Sequence, residues 1–258
     1  MAYETLLLER RDGIGFITLN RPAQLNTFSS LLAGEFNRAL EDLEKDPETR
    51  VIVIRGEGKA FCAGIDVNEL EGKACLDYYR WVGSMEEMAL RMSRMGTPVI
   101  ASVHDLAVAN GIAIVAASDL AIAAEGARFG ATAVNIGLFC MGPAVVLSRC
   151  IGQKKTMELL LTGDMIDAEE AWRVGLINKV VSKDALASET EALAAKLAKK
   201  SPLAMQLGKK SFYKMQDLEL EKAFELVNNH FALLCSSEDA HEGVDAFLNK
   251  RTPQWKMR

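Results

Sequence analysis

The sequence lacks the common motifs of nucleotide, metal and serine chemistry. No G-x-x-x-x-G-K-[ST], G-x-G-x-x-G, H-E-x-x-H or G-x-S-x-G pattern occurs in it. The histidines are few and far apart, which is not the spacing of metal ligands. They are His104, His230 and His241. We therefore expect structural or surface histidines and no metal site, while residue order alone leaves a Ser-His-Asp triad open.

Disulfide and membrane signals are also missing. The five cysteines are odd in number and form no C-x-x-C pair, which favours reduced thiols in a cytosolic compartment. The first ten residues carry charges where a secretory signal would be apolar. Polar residues and a glycine interrupt the most apolar stretch, 106–124, so we interpret it as buried core. These features predict a cytoplasmic location and no membrane partner.

No strong excess of one charge is present. Thirty Lys and Arg stand against 35 Asp and Glu, giving a net charge of −5. This balance argues against nucleic acid as a partner, because such binders carry a basic field. Residues 199–258 hold ten basic against eight acidic side chains, whereas residues 1–198 are acidic. The basic excess is either an ordinary solvated surface or a local site for a phosphorylated small molecule.

What the sequence does contain is the composition of a folded globular protein. Hydrophobic residues make up 49% and charged residues 25% of 258 positions. A chain of this length buries a sizeable core without disulfides or metals. We predict a core over residues 1–200 and a helical C-terminal region over residues 201–258, with Ser201-Pro202 as the boundary.

Hydrophobic periodicity predicts an α/β fold, because strands alternate with helices. An Asp12-Gly13 step between two apolar runs indicates a hairpin. Further strands are predicted at 51–55, 99–103 and 120–124, with helices from Ser29 or Ser30 to about Lys45, from about Asp66, at 112–117 and from near Gly142. From Thr162 onward we predict helix only, with one helix that begins at Asp167 and ends at Gly175, and four more at about 184–200, 202–215, 217–235 and 238–249.

Two loops that carry glycine lead from a strand into a helix, at Ala63-Gly64-Ile65-Asp66 and Ala109-Asn110-Gly111-Ile112. The first N–H groups of a helix are free to bind an anion. Two such loops side by side could direct two N–H donors at one carbonyl oxygen. The alternative is an ordinary structural turn, since strand–glycine–helix connections are common in α/β proteins.

Several segments occur in an order that resembles the crotonase superfamily, also called the enoyl-CoA hydratase/isomerase family. They are Asn20-Arg-Pro with Leu25-Asn26, Ala60-Phe-Cys-Ala-Gly-Ile-Asp66, Pro98-Val-Ile-Ala-Ser-Val103, Phe129-Gly130, Leu161-Thr-Gly-Asp164, Ala168 with Ala171 and Gly175-Leu176, and Phe247 with Lys250-Arg251. Together they cover essentially the whole chain. Segments at 135–140, 208–214 and 251–255 look most like one branch of this family.

The resemblance implies a spiral of ββα units with an all-helical C-terminal trimerisation region, assembled as trimers or hexamers. It implies an acyl-CoA or enoyl-CoA thioester as ligand, and no separate cofactor because CoA is part of the substrate. The oxyanion-hole N–H groups would be those of Ile65 and Gly111. The CoA arm would lie along Gln24, Leu25, Asn26, Ala63, Asp66, Val67 and Asn68, and its adenine and phosphates near Phe247 and Lys250. Phe247 could instead be helix core.

The sequence departs from the family at the acid–base positions. The two glutamates of the family's hydratases correspond here to Ala113 and Ala133, and a third carboxylate position of related isomerases corresponds to Met141. An alanine cannot accept a proton or orient water, so we expect ordinary hydration to be slow. Conceivable replacements, each also explicable as a surface or packing residue, are Asp66, Glu69, Tyr78, Tyr79, Glu86, Glu87, His104, Asp105, Asn110 and Cys140.

Three hypotheses about function follow. The first is an acyl-CoA-binding member of the hydratase/isomerase family that relies on its backbone oxyanion hole. The second is a non-catalytic protein that binds CoA esters. The third is another reaction of the superfamily, decarboxylation or thioester hydrolysis.

Overall fold

The computed structural model describes residues 3–257 and contains two β-sheets surrounded by helices. The strands are β1 Leu6–Arg11, β2 Ile14–Leu19, β3 Val51–Gly56, β4 Ala60–Cys62, β5 Val99–Val103, β6 Leu106–Val108, β7 Leu120–Ala124, β8 Arg128–Gly130, β9 Met165–Asp167 and β10 Lys179–Val181. The helices are α1 Ser30–Lys45, α2 Cys75–Arg94, α3 Asn110–Ala117, α4 Met141–Cys150, α5 Gln153–Thr162, α6 Ala168–Arg173, α7 Leu186–Ala198, α8 Pro202–Met215, α9 Leu220–Cys235 and α10 Glu238–Leu248.

Successive ββα units give one strand to each sheet. The larger sheet has the order β1-β2-β3-β5-β7-β10, and the smaller has the order β4-β6-β8-β9. The pairs β3/β4, β5/β6 and β7/β8 therefore each divide between the two sheets before the chain enters a helix. This arrangement confirms the predicted α/β spiral. It also brings the loops after β4 and β6 to the same edge, because these two strands are parallel neighbours.

The predicted hairpin at Asp12-Gly13 is confirmed. Arg11 pairs with Ile14, so the turn has two residues. Both turn residues have positive φ, 53° for Asp12 and 76° for Gly13. Those angles suit the type I′ turn, whose twist matches that of the flanking strands.

The prediction of helix only after Thr162 is wrong. Strand β9 pairs antiparallel with β8, and β10 pairs parallel with β7. The regions 56–64 and 104–111, interpreted as loops, likewise contain β4 and β6. All four strands have three residues, which is too short for an alternating hydrophobic pattern to be recognised in the sequence. They form because the edge of a neighbouring strand is available for pairing.

Two helix starts also differ from the sequence-based expectation. Helix α2 begins at Cys75 and not near Asp66, because Asp66 caps a short 3-10 turn over Val67–Glu69. Helix α3 begins at Asn110, two residues earlier than predicted, so Gly111 lies inside its first turn. The four C-terminal helices, α7 to α10, occur where predicted, and the Ser201 hydroxyl caps α8.

Both faces of the larger sheet are covered by apolar side chains. Along β3, Ile52 and Ile54 face the main core, whereas Val51 and Val53 face a second cluster beneath α7. Burial on both faces explains why β3 appears in the sequence as an uninterrupted apolar run. Within residues 3–257 no helix is both long and apolar enough to cross a bilayer.

A buried ion pair fastens α8 to the sheet. The Lys209 ammonium lies 2.6 Å from the Asp119 carboxylate and has only 7% of its side chain exposed. Asp119 also accepts hydrogen bonds from the Tyr213 hydroxyl at 3.0 Å and from the Val99 N–H at 2.7 Å. One carboxylate thus joins α8 to the ends of β5 and β7.

We expect Asp119→Ala to lower the free energy of unfolding by about 3 kcal/mol, because it leaves a buried ammonium without its counter-ion. Urea unfolding followed by circular dichroism measures the change. The matched control is Asp217→Ala, which removes an exposed ion pair with Arg149. The control should change stability by less than about 0.5 kcal/mol. Equal effects of the two substitutions would contradict the role assigned to Asp119.

Candidate active site

The loops after β4 and β6 touch at two glycines. A Cβ placed on Gly111 would lie 2.3 Å from the carbonyl oxygen of Cys62, well inside the contact limit. A Cβ placed on Gly64 would lie 3.0 Å from the Cβ of Ala109, and Gly64 has a φ of 98°. Side chains at either glycine would push the loops apart, so glycine is required for their close approach.

The Ile65 N–H points away from Phe28, with which Ile65 forms an isolated parallel β-bridge. The Phe28 N–H donates to the Gly64 carbonyl at 2.7 Å, and the Asp66 N–H donates to the Phe28 carbonyl at 3.2 Å. In this parallel bridge, the N–H of the residue between Gly64 and Asp66 faces the opposite side. No acceptor within residues 3–257 takes the Ile65 N–H.

The Gly111 N–H is the second in helix α3. The first hydrogen bond that closes this helix is from the Ala113 N–H to the Ala109 carbonyl, at 3.1 Å. The preceding N–H groups of a helix have no acceptor inside it and carry partial positive charge. The loop that carries Gly111 leaves the smaller sheet at the same edge as the loop that carries Ile65.

The positions predicted to correspond to the family's carboxylates have apolar side chains, two of which pack in or against the core. Ala113 is 4% exposed and belongs to the main core cluster, against which Ala133 packs. Met141, at the third position, is 72% exposed. None of these three side chains can move a proton.

The Asn26 side chain supports the neighbouring loop from inside. It is fully buried, and its amide donates to the carbonyls of Glu57 and Ala60 at 2.9 and 2.7 Å. Its oxygen accepts from the Arg21 N–H at 2.8 Å. The Asn26 amide is thus fully used within the protein, and the exposed side chains of this segment are Gln24 and Leu25.

Asp66 is held by an arginine that sequence reasoning did not single out. The Arg21 guanidinium lies 2.8 Å from the Asp66 carboxylate. This hydrogen bond, helped by those from Asn68, lowers the pKa of Asp66 below the ordinary range. A carboxylate so stabilised is a poor proton acceptor. In the sequence, Arg21 was marked only as part of the Asn20-Arg-Pro segment of the family pattern.

The segment after Gly64 is partly accessible. Ala63 is half-buried, and its N–H donates to the Leu25 carbonyl at 3.0 Å. Val67 is 50% exposed and Asn68 is also exposed. The structure thus joins the Gln24–Asn26 segment to the Ala63–Asn68 segment along one edge.

Most of the side chains considered as replacement acid–base groups form hydrogen bonds or ion pairs within the protein. Burial acts to raise the pKa of Glu69, but hydrogen bonds from Ser30 and Trp81 outweigh it and lower the pKa. Glu87 forms an ion pair with Arg91 at 3.8 Å. Glu86 differs from both, because burial raises its pKa and its carboxyl lies against Gly142 of α4.

The remaining candidates contain no activated group. Tyr78 donates to the Leu70 carbonyl, and His104 Nε2 lies 3.1 Å from the Gly58 carbonyl oxygen. Burial raises the pKa of the Cys140 thiol, which keeps it protonated and unsuited to nucleophilic attack. The other three are the exposed Tyr79 and Asp105 and the buried Asn110. Within residues 3–257 no cluster of three His, Cys, Asp or Glu side chains could hold a metal ion.

Phe247 and Lys250 lie apart from these loops in the chain. Helix α10, which carries Phe247, packs against α8 and α9. Phe247 is 82% exposed, so the alternative of a helix-core role is wrong. It borders a groove of about 360 Å³ that Trp255 and Leu234 also line.

Comparison with known proteins gives one consistent family. A family model described as "Enoyl-CoA hydratase/isomerase" matches residues 9–258. A probable enoyl-CoA hydratase of Rhizobium meliloti is 36% identical over 261 residues, covering 100% of both chains. The mitochondrial enoyl-CoA hydratase domain-containing protein 3 of Xenopus laevis is 35% identical over 250 residues, covering 96% of this chain and 85% of that protein.

Solved structures agree with these relatives. An enoyl-CoA hydratase from Mycobacterium smegmatis superposes with a TM-score of 0.94 at 38% identity, covering 98% of this chain and 99% of its own. Human enoyl-CoA hydratase domain-containing protein 3 gives a TM-score of 0.94 at 34% identity, covering 98% of this chain and 100% of its own.

The two-sheet spiral and these neighbours define a protein of the crotonase class of folds. The chain belongs to the enoyl-CoA hydratase/isomerase family, and it resembles the branch of enoyl-CoA hydratase domain-containing protein 3.

We expect Gly111→Ala to lower the free energy of unfolding by about 1–3 kcal/mol, because the new methyl group collides with the Cys62 carbonyl. Urea unfolding measures the loss. The control is Gly34→Ala in α1, where nothing lies within 4 Å of the new methyl group. Alanine there should raise stability by about 0.5–1 kcal/mol. A Gly111→Ala protein as stable as the wild type would show that the loops do not need this contact.

Proposed function

We propose that this protein binds acyl-CoA thioesters and polarises the thioester carbonyl with the backbone N–H groups of Ile65 and Gly111. The observation that carries the proposal is the contact between their two loops, through Gly64 with Ala109 and Gly111 with Cys62. Family membership supports the ligand class, because matched relatives are named enoyl-CoA hydratases.

The proposed donors suit a thioester because its carbonyl oxygen gains negative charge when an enolate forms. Backbone N–H groups that are already in place stabilise this charge without further reorganisation. Helix α3 adds the partial positive charge of its N-terminus. The protein would thus favour reactions that pass through a thioester enolate.

Ala113 and Ala133 would make ordinary hydration slow. In a hydratase, one group must activate water and one must deliver a proton. Loss of such a group costs about 100- to 10,000-fold in rate. We therefore propose an atypical member of the family, whose oxyanion hole is kept and whose two usual carboxylates are replaced.

The CoA arm would run over the accessible edge formed by Gln24, Leu25, Ala63, Val67 and Asn68. Asp66 and Asn26 would support this edge from beneath. CoA would enter and leave as part of the substrate, and no separate cofactor is proposed.

Phe247 and Lys250 would bind the adenine and phosphates only in an assembled protein, since α10 packs within the C-terminal helices. These helices expose many apolar side chains. The most exposed on α9 and α10 are Leu220, Phe224, Phe231, Leu233, Val244, Phe247 and Leu248. Such a surface supports self-association as a trimer or hexamer.

A cytoplasmic location stays a prediction, because some matched relatives are named mitochondrial.

We expect the double variant Ala113→Glu/Ala133→Glu to hydrate crotonyl-CoA at least about 100-fold faster than the wild type, because it restores both carboxylates. Absorbance of the enoyl thioester measures the rate. The matched control, Ala113→Gln/Ala133→Gln, adds side chains of equal size that cannot exchange a proton at neutral pH, and it should stay at the wild-type rate.

Titration calorimetry with butyryl-CoA accompanies this assay. A folded Glu/Glu variant that binds butyryl-CoA without faster hydration would show that the site is not shaped for hydration. Binding without any turnover would favour a non-catalytic CoA-ester protein. Release of free CoA, or of CO₂ from malonyl-CoA, would favour thioester hydrolysis or decarboxylation. Failure of the wild type to bind butyryl-CoA would overturn the proposal itself.

We expect light scattering to give three or six times the mass of one chain. Phe231→Glu should lower this mass, because a charge placed on the exposed apolar face of α9 would have to be buried on assembly. The control is Glu225→Gln on the same helix, whose side chain pairs with Lys222 at the surface. A wild-type protein that is monomeric at micromolar concentration would contradict the assembly.

A further inference from the structure

The Glu86 carboxyl lies against the first turn of α4. A Cβ placed on Gly142 would be 2.3 Å from Glu86 Oε1 and 2.9 Å from its Cδ. Only glycine at position 142 leaves room for the carboxyl where it stands. The chain thus contains a close fit between a carboxyl group on α2 and a glycine on α4.

This carboxyl has no counter-ion. Among residues 3–257, none forms a hydrogen bond or ion pair with Glu86, whereas Asp66, Glu69 and Glu87 are all paired. Its neighbours three and four positions away on α2 are uncharged, namely Val82, Gly83, Ala89 and Leu90. The first turn of α4 is uncharged as well, with Met141, Gly142, Pro143 and Ala144.

Most charged groups on the other helices around α2 pair with residues other than Glu86. Helix α3 contains no charged residue. On α1, Glu41 lies 3.6 Å from Arg91, and on α8, Lys210 lies 3.7 Å from Glu44. Burial without a compensating cation raises the pKa of Glu86. A carboxyl of this kind exchanges protons closer to neutral pH than an exposed glutamate does.

Glu86 also lies beside Met141, the position predicted to correspond to the third carboxylate of the family. Gly142 directly follows Met141, and the Cys140 thiol contacts the backbone of Ala133. Cys140, Ala113 and the α2 residue Met85 share one buried cluster. Helix α4 packs on α3, which carries Gly111. Glu86 therefore lies on a helix that packs against both α3, which carries Ala113, and α4, which begins at Met141.

We propose that Glu86 is the catalytic acid–base group of this site, in the role for which Ala113 and Ala133 have no functional group. The proposal rests on the thioester-binding function proposed above, since it needs the carbonyl held by Ile65 and Gly111.

The proposed step is a proton transfer at the carbon next to the thioester carbonyl. The Glu86 carboxylate takes the proton, and the electrons of the broken C–H bond move into the carbonyl, forming an enolate whose oxygen the two N–H groups hold. Return of a proton from Glu86 to the same carbon completes an exchange. Return to the γ-carbon of an unsaturated acyl chain moves the double bond. A single carboxylate suffices for both, so the substrate class is enolisable acyl and enoyl thioesters.

The test is hydrogen exchange in D₂O with butyryl-CoA, followed by mass spectrometry. We expect the wild type to incorporate deuterium at the α-carbon, and Glu86→Gln to be at least about 100-fold slower with unchanged butyryl-CoA binding. Glu86→Asp should recover part of the rate. The rate should rise with pH, because the carboxylate is the active form, with a midpoint above that of an ordinary glutamate.

The matched control is Glu87→Gln, which alters the adjacent residue on the same helix and should keep more than half of the wild-type rate. Exchange by Glu86→Gln as fast as by the wild type would overturn the proposal. Absence of exchange in a wild type that binds butyryl-CoA would overturn it too. Absence of binding in the wild type would instead contradict the underlying function.

Discussion

Two close contacts between loops hold the candidate active site together. Gly111 lies against the Cys62 carbonyl, and Gly64 lies against Ala109. The contacts exist because β4 and β6 are parallel neighbours in the smaller sheet, so the loops that follow them leave at one edge. Ile65 and Gly111, whose N–H groups are the donors proposed above, thereby come to the same edge although they lie 46 residues apart in sequence. A fixed pair of donors is useful wherever charge develops on a carbonyl oxygen.

The proposed site lacks side chains that transfer protons at the two positions predicted to correspond to family glutamates. Ala113 and Ala133 both pack as small apolar residues. The carboxylates that remain nearby differ in their surroundings. Arg21 holds Asp66 ionised and hydrogen bonds hold Glu69 ionised, whereas no residue in the described part of the chain pairs with Glu86. Environment, and not residue type, distinguishes a structural carboxylate from a reactive one.

The C-terminal helices depend on the body of the protein for part of their stability. Asp119, at the start of β7, binds Lys209 and Tyr213 of α8 in a largely buried position. Beyond this attachment, α9 and α10 leave large apolar side chains exposed. This exposed apolar surface is the basis of the self-association proposed above.

The sequence by itself determined the long elements and the family. The alternation of β3, β5 and β7 with helices was visible because each strand is five or six residues long and buried on both faces. It also contained the two glycine loops at Gly64 and Gly111, and its resemblance to the family predicted that Ala113 and Ala133 stand where hydratases have glutamates. What only the tertiary structure decided depends on contacts between distant segments. The three-residue strands form because a neighbouring strand is available to pair with them. Asp66 is ionised because Arg21 folds back onto it, and Glu86 differs from Glu87 because it lies against Gly142 in the uncharged first turn of α4. Local sequence cannot encode these differences, since desolvation and charge pairing are properties of the space around a side chain.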